Sequence, residues 1–196
     1  MCKKDRELLK RALAGDIAAF EELVSSNEKK IYNLCLKMMK NEQDAQDMAQ
    51  EALLKAWRNL RKFNLKAAFS TWLYRIAVNT CLDELRKRKN NIQSIEDLDE
   101  KGYIIPDEKS QGFSDQSDLK HELMHAMDQL EAKEKLIIVL KDVQGYTYDE
   151  IGDILKCPVG TVRSRLSRSR KKLADICISM ELYPSAVRQN ICKEAK

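Results

Sequence analysis

The sequence predicts an all-α protein of two small helical domains joined by a flexible acidic linker. Three observations predict it. Apolar residues recur at helical spacing almost throughout, while Gly (6) and Pro (3) are scarce among 196 residues. A block from Ser94 to Asp118 breaks that periodicity and carries eight Asp/Glu against two Lys. Beyond it, Thr147 to Leu173 has the form helix, tight break, cationic helix.

Leu8, Leu9, Ala12 and Leu13 open a first helix that Gly15 ends. Asp16 is placed to cap a second, with Phe20, Leu23 and Val24 inward. Ile31, Leu34, Cys35 and Met38 define a third, and Asn41 precedes the next as a plausible cap. The stretch from Asp44 to Leu60 has the cleanest pattern in the chain. Ala45, Met48, Ala49, Ala52, Leu53, Ala56, Trp57 and Leu60 form one apolar stripe. The opposite face shows Asp47, Gln50, Glu51, Leu54 and Arg58. Leu54 is out of place among acids and amides, which fits a partner-docking surface as well as a solvated face.

Phe63 to Ala68 reads as a loop. Ser70 is placed to cap a helix from Thr71 to Lys89, with Trp72, Leu73, Ile76, Ala77, Thr80 and Leu85 buried. Tyr74, Arg75, Asn79, Asp83 and Arg86 are expected on its exposed side, and it ends in Arg86-Lys87-Arg88-Lys89. A cationic track interleaved with an aromatic and an amide suits single-stranded nucleic acid. Residues 1–90 make the first domain, 91–118 the linker, 119–176 the second domain, and 177–196 an extension with no assigned role. In the second domain Leu119, Leu123, Met127 and Leu130, then Leu136, Ile137, Val139 and Leu140, supply the core.

Thr147 and Glu150 are spaced as a capping box. Ile151, Ile154 and Leu155 face inward, and Pro158 suits the first turn of the following helix. There Val159, Val162, Leu166 and Leu173 point inward, and Arg163, Arg165, Arg168, Arg170, Lys171 and Lys172 point outward. Lys156 to Leu173 holds seven Lys/Arg and no Asp/Glu. A short helix, a turn and a cationic helix are the parts of a helix-turn-helix, whose second helix enters the major groove of DNA.

Charged residues make up 34% of the chain, against about 25% in an average soluble protein. The net charge of +4 averages over blocks of opposite sign. No apolar run is long enough to span a membrane and no signal peptide is recognisable, so a cytoplasmic protein is expected. Cys2, Cys35, Cys81, Cys157, Cys177 and Cys192 have no zinc-ligand spacing and fit reduced thiols. Cys35 and Cys81 fall on apolar faces and are expected in the core. His121 and His125 are i, i+4 apart, but no third ligand accompanies them. No catalytic constellation or phosphate loop is present, so neither enzymatic activity nor a cofactor or metal is expected.

Three stretches together resemble one family. They are DAQDMAQEALLKAW (Asp44 to Trp57), FSTWLYRIAVNTCLDELRKRK (Phe69 to Lys89) and LKDVQGYTYDEIGDILKCPVGTVRSRLSRSRKKL (Leu140 to Leu173). In this order and separation they look like bacterial sigma-70 family sigma factors of the extracytoplasmic-function group, over roughly Leu8 to Leu173. The resemblance implies a sigma-2 domain, a linker and a sigma-4 domain, and a factor that directs promoter-specific transcription in a stress or envelope-signal response. It implies three partners: core RNA polymerase, promoter DNA and, in many members, an anti-sigma factor. Asp47, Gln50, Glu51 and Leu54 would dock on the clamp coiled coil of the polymerase largest subunit. The Phe63 to Ala68 loop and the Thr71 to Lys89 helix, with Arg75, Asn79 and Arg86, would recognise and help melt the −10 element. The Val159 to Leu173 helix would read the −35 element. There Arg163, Ser164, Ser167 and Arg168 are expected at base edges, and Arg165, Arg170 and Lys171 at phosphates. The −10 loop reads NLKAAF here, where many relatives are rich in Gly and Ser. Two rivals remain at this stage. A stand-alone helix-turn-helix regulator leaves the first half idle, and a protein-binding scaffold leaves the seven unopposed cations unexplained.

Overall fold

The computed structural model describes residues 3–39, 41–63, 68–96, 115–180 and 182. Eight α-helices are found there: α1 (Lys3–Leu13), α2 (Ile17–Met38), α3 (Glu42–Asn59), α4 (Phe69–Glu96), α5 (Asp115–Asp128), α6 (Ala132–Ile138), α7 (Tyr148–Leu155) and α8 (Val159–Ser179). A 3-10 turn (Leu60–Lys62) follows α3, and a π-turn (Val139–Val143) follows α6. No strand occurs among the described residues.

Local signals set most helix starts. Asp16 accepts from the Ala19 backbone N–H at 3.0 Å, and Asn41 accepts from that of Asp44 at 2.8 Å. Gly15 turns the chain between α1 and α2 at φ +100°, a conformation that favours glycine. The capping box of α7 forms as the spacing predicts. The Glu150 N–H donates to Thr147 Oγ1 at 3.2 Å, and the Thr147 N–H donates to Glu150 Oε2 at 2.8 Å.

Three boundaries differ from expectation. The expected second and third helices are one, α2. Val24 and Ile31 are two turns apart, so the stripe stays in phase across the polar Ser25, Ser26 and Asn27. Packing against α1, α3 and α4 then outweighs the weak helix propensity of those three residues. Ser70 is not the cap of α4. That helix begins at Phe69, where the Trp72 N–H donates to the Ala68 carbonyl at 3.1 Å. Phe69 packs against Phe63 and Trp72, with ring centroids 5.5 and 5.6 Å away, which draws the start back two residues from Thr71. Finally, α4 runs on to Glu96 and α5 begins at Asp115, so helix enters both ends of the expected linker. Its middle, 97–114, lies outside the described residues, as do 64–67 of the expected −10 loop and most of 177–196 beyond α8.

The first half is a bundle in which α2 packs against α1, α3 and α4. α3 contributes Ala45, Ala49, Ala52 and Ala56, all buried, and these small side chains admit close helix approach. Cys35 and Cys81 are both 0% exposed, with sulfurs 3.6 Å apart between α2 and α4. In the second half α8 packs on α5, α6 and α7 through Val162, Leu166, Ser169 and Cys177. Leu123, expected in that core, is 41% exposed. The halves also touch each other, with α4 against α6 and α7 and α2 against α6 and the π-turn.

The break between α7 and α8 hinges on Lys156, which caps α7 in the left-handed region at φ 52°, ψ 48°. A side chain there costs roughly 1–2 kcal/mol, part of which glycine loses again through its greater freedom when unfolded. Lys156→Gly is therefore expected to raise unfolding free energy by about 0.5–1 kcal/mol. Urea denaturation beside Lys156→Ala checks it. An equal gain in both variants would place the effect in side-chain charge instead of backbone strain.

Candidate nucleic-acid interface

The outer side of α8 follows from its inner one. Val162, Leu166 and Ser169 are buried, so Arg163, Ser164, Arg165, Ser167, Arg168, Arg170 and Lys171 are all exposed. Helix phase divides them into three lines. On one flank the Arg163 guanidinium lies over the Tyr148 ring, 5.3 Å from its centroid. Lys141 approaches the same ring at 4.8 Å, so Tyr148 holds two cations at the edge of this outer side. Arg170 lies on that flank too, in a two-pronged pair with Asp142 of the π-turn whose Nε–Oδ2 arm is 3.0 Å. On the other flank are Arg165 and Arg168, with Lys172 paired to Glu134 of α6 at 2.8 Å. Ser164, Ser167 and Lys171 lie along the outermost line. Its hydroxyl bonded to the Thr161 carbonyl at 3.1 Å holds Ser164 close to its own helix.

The seven cations are therefore not all unopposed. Arg170 and Lys172 are matched by acids from outside the helix, Asp142 and Glu134, which a count along α8 could not reveal. The partner carboxylate raises the Arg170 pKa above its ordinary value, and Glu134 is held below its own by Lys172.

On α4, Asn79 and Arg86 are exposed as expected, with Arg86 paired to Asp83 at 3.0 Å. Tyr74 is not. It is 0% exposed, and burial raises its phenol above its ordinary pKa. Seven residues from Cys81 and four from Val78, both buried, it shares the inner line of α4, and the second half closes over its ring. Its ring meets Tyr146 edge-on at 5.1 Å, and its hydroxyl donates to Gln144 Oε1 at 3.1 Å. Arg75 is half-buried beside it and donates through Nη2 to the Asp153 carbonyl at 2.6 Å. Its Nε is buried without a hydrogen-bond partner. Arg75, Asn79, Lys156, Arg165 and Arg168 line one cleft of about 510 Å³ between the halves.

The α3 stripe is a separate surface. Asp47 and Gln50 are exposed, Glu51 is half-buried, and Leu54 is 49% exposed. Glu51 approaches Lys55 one turn on at 3.5 Å. Behind the stripe, Arg88 of α4 ties down the start of α3, donating to Asp44 at 2.5 Å and to Glu84 at 2.9 Å. The Arg88 guanidinium holds the Asp44 carboxyl below the usual carboxylate range. Sequence reasoning missed Tyr148 and Lys156 as neighbours of the reading surfaces. Neither has a local signal, since the π-turn and the left-handed cap place them. His121 and His125 are both exposed on α5. No three His, Cys, Asp or Glu gather as a metal site among the described residues. No described helix is long and apolar enough to cross a membrane.

Comparison with known proteins agrees over both halves. Residues 23–91 match Sigma-70 region 2, and residues 120–173 match Sigma-70, region 4. The chain is 35% identical over 175 residues to the ECF RNA polymerase sigma factor SigW of Bacillus subtilis, covering 86% of this chain and 94% of that one. It is 34% identical over 178 residues to the RNA polymerase sigma-H factor of Pseudomonas aeruginosa, covering 87% and 92%. In structure it resembles the sigma factor RpoE of Bartonella quintana, solved in complex with the anti-sigma factor NepR. The TM-score is 0.61 at 23% identity, covering 80% of this chain and 95% of that one.

Proposed function

The chain belongs to the extracytoplasmic-function sigma factors of the sigma-70 family, and from that premise we propose how its residues divide the work. It binds core RNA polymerase and directs promoter-specific initiation. Members of its family are non-catalytic initiation factors. We assign this chain no reaction step of its own, a cytoplasmic location, and an anti-sigma factor as the partner that holds it inactive.

The observation that carries the residue assignment is the separation of two chemically distinct surfaces on one chain. The α3 stripe of Asp47, Gln50, Glu51 and Leu54 docks on the clamp coiled coil of the polymerase largest subunit. The outer side of α8 enters the major groove at −35, with Arg163, Ser164, Ser167 and Arg168 at base edges. Arg165 and Lys171 hold phosphates, and Arg170 does so once it exchanges Asp142 for DNA. On α4, Arg75, Asn79 and Arg86 take the opened −10 strand. Unstacking a base costs a few kcal/mol, which contacts to that base and its backbone must offset. Tying both readers to one chain raises the effective concentration of the second once the first is bound.

Run-off transcription tests the reading: core polymerase, this protein and promoter fragments from its own genome. Specific transcripts are expected only when both proteins are present, and their start sites locate the −35 and −10 elements. Tight duplex binding without transcripts would instead fit the stand-alone helix-turn-helix regulator.

A further inference from the structure

The cleft of about 510 Å³ between the halves is one-sided in charge. Five cations line it from four places in the chain: Arg75 of α4, Lys133 of α6, Lys156 at the cap of α7, and Arg165 and Arg168 of α8. Among the described residues its lining holds a single acid, Glu134, and Lys172 already holds that carboxylate at 2.8 Å. Like charges that converge on one space repel, and a bound anion relieves them. Lys133 and Lys156 lie neither on the outer side of α8 nor on the α4 track, so promoter reading does not account for them. Lys156 moreover occupies the left-handed region at φ 52°, so a long cationic side chain is kept at a strained position. Arg75, the most buried of the five, donates through Nη2 to the Asp153 carbonyl and keeps its Nε buried without a hydrogen-bond partner. An orphaned donor on a charged group is unusual, and an anionic oxygen is the acceptor that suits it.

The cleft is not wholly polar. Val78 and Leu82 of α4 and Ile154 and Leu155 of α7 give it aliphatic walls, and Asn79 adds an amide that both donates and accepts. Its volume falls within the about 300–1,000 Å³ of ordinary small-ligand sites, which combine apolar walls with a few directed polar groups. Inorganic phosphate would leave the walls bare. A nucleotide uses both parts, with its base against the aliphatic side chains, the base edge at Asn79, and its phosphates among cations that include three arginines able to bond them two-pronged. Five positive charges exceed what one phosphate neutralises, which favours a chain of phosphates.

We propose that this cleft binds a nucleoside polyphosphate, its base on the aliphatic walls and its phosphates on Arg75, Lys133, Lys156, Arg165 and Arg168. Arg75, Arg165 and Arg168 are also assigned to promoter DNA, so nucleotide and promoter compete for the same side chains. The site stands on the geometry of the cleft, whereas the competition rests on the promoter roles assigned above.

The test uses the full chain. Isothermal titration calorimetry with ATP, GTP and inorganic tripolyphosphate, each in the absence of DNA, measures the site. One nucleotide per chain is expected, at a Kd of about 10–100 μM and at least about tenfold tighter than tripolyphosphate. The double substitution Lys133→Ala with Lys156→Ala removes two exposed side chains, so it should keep the wild-type circular dichroism and lose about tenfold or more in nucleotide affinity. Lys10→Ala with Lys29→Ala removes the same charge away from the cleft lining and should keep wild-type affinity. No heat of binding for either nucleotide at ~1 mM overturns the site. Tripolyphosphate as tight as the nucleotides overturns the role of the walls and with it the nucleotide assignment. Wild-type affinity in the cleft variant, or an equal loss in the control, overturns the location. Fluorescence anisotropy with a forked promoter DNA carrying both elements then reads the competition, and saturating nucleotide is expected to weaken wild-type binding by about tenfold or more. Nucleotide that binds without weakening promoter binding overturns the competition. A promoter that fails to bind even without nucleotide counts against the promoter reading and leaves the calorimetry to decide the site.

Discussion

Replacing Glu51 with Lys and Leu54 with Ala is expected to weaken binding to core RNA polymerase by about 10²- to 10³-fold while leaving the fold intact. Leu54 is 49% exposed on a helix whose buried side is already filled by alanines, so its side chain supports no intramolecular core. Burying a leucine at an interface is worth roughly 1.5–3 kcal/mol, and truncation to alanine forfeits much of that. A surface that accepts Asp47 and Glu51 is cationic, and like charge placed against it costs several kcal/mol. Together these come to about 3–4 kcal/mol, hence the fold-change. The fold is spared because the local Glu51–Lys55 approach is an exposed i, i+4 pair worth about 0.3–0.5 kcal/mol. Titrating labelled core polymerase with both proteins measures the effect, and circular dichroism checks folding. Unchanged affinity for the double variant removes this stripe from the docking surface.

Arg163→Ala is expected to relax sequence preference at −35, whereas Lys171→Ala is expected to weaken every duplex alike. Arg163 rests over Tyr148, which limits its freedom before DNA arrives and leaves its planar donors for a base edge. A bidentate arginine–guanine pair is worth about 1–3 kcal/mol of discrimination, so the ratio of cognate to scrambled binding should fall by roughly 5- to 150-fold. Lys171, on the outermost line of α8, is a point charge suited to phosphate. Its loss should reduce the slope of log affinity against log salt by about 1 at unchanged specificity. Arg170→Ala should have a smaller effect than Lys171→Ala, because Arg170 already has Asp142 and must give it up to meet phosphate. Anisotropy titrations of cognate and scrambled −35 duplexes at several salt concentrations distinguish these. Equal losses on both duplexes for Arg163→Ala would assign it to the backbone.

Much of this was legible before any coordinate. The capping box at Thr147 and Glu150, the alanine stripe of α3 and the outward cations of α8 are local patterns, and each helix folds as its pattern says. The errors lie where a local signal met a stronger neighbour. Ser70 lost the start of α4 to the packing of Phe69 on Phe63 and Trp72. The polar Ser25 to Asn27 segment did not interrupt α2, because the apolar stripe on either side remained in register.

By itself the sequence determined the all-α class, which side of each helix faces a core, and the family. All three are written in residue spacing, and spacing of three or four residues is what a helix converts into a face. Only the tertiary structure decided that the Tyr74 hydroxyl meets Gln144, that Arg75 is bonded to the Asp153 carbonyl, and that Arg170 is matched by Asp142. These partners are 70, 78 and 28 residues apart in sequence for Tyr74–Gln144, Arg75–Asp153 and Arg170–Asp142. Helical period tells a side chain which way to point from its own axis. It says nothing of which helix arrives from the other half of the chain to meet it, and that arrival separates a cationic side chain left open from one already engaged.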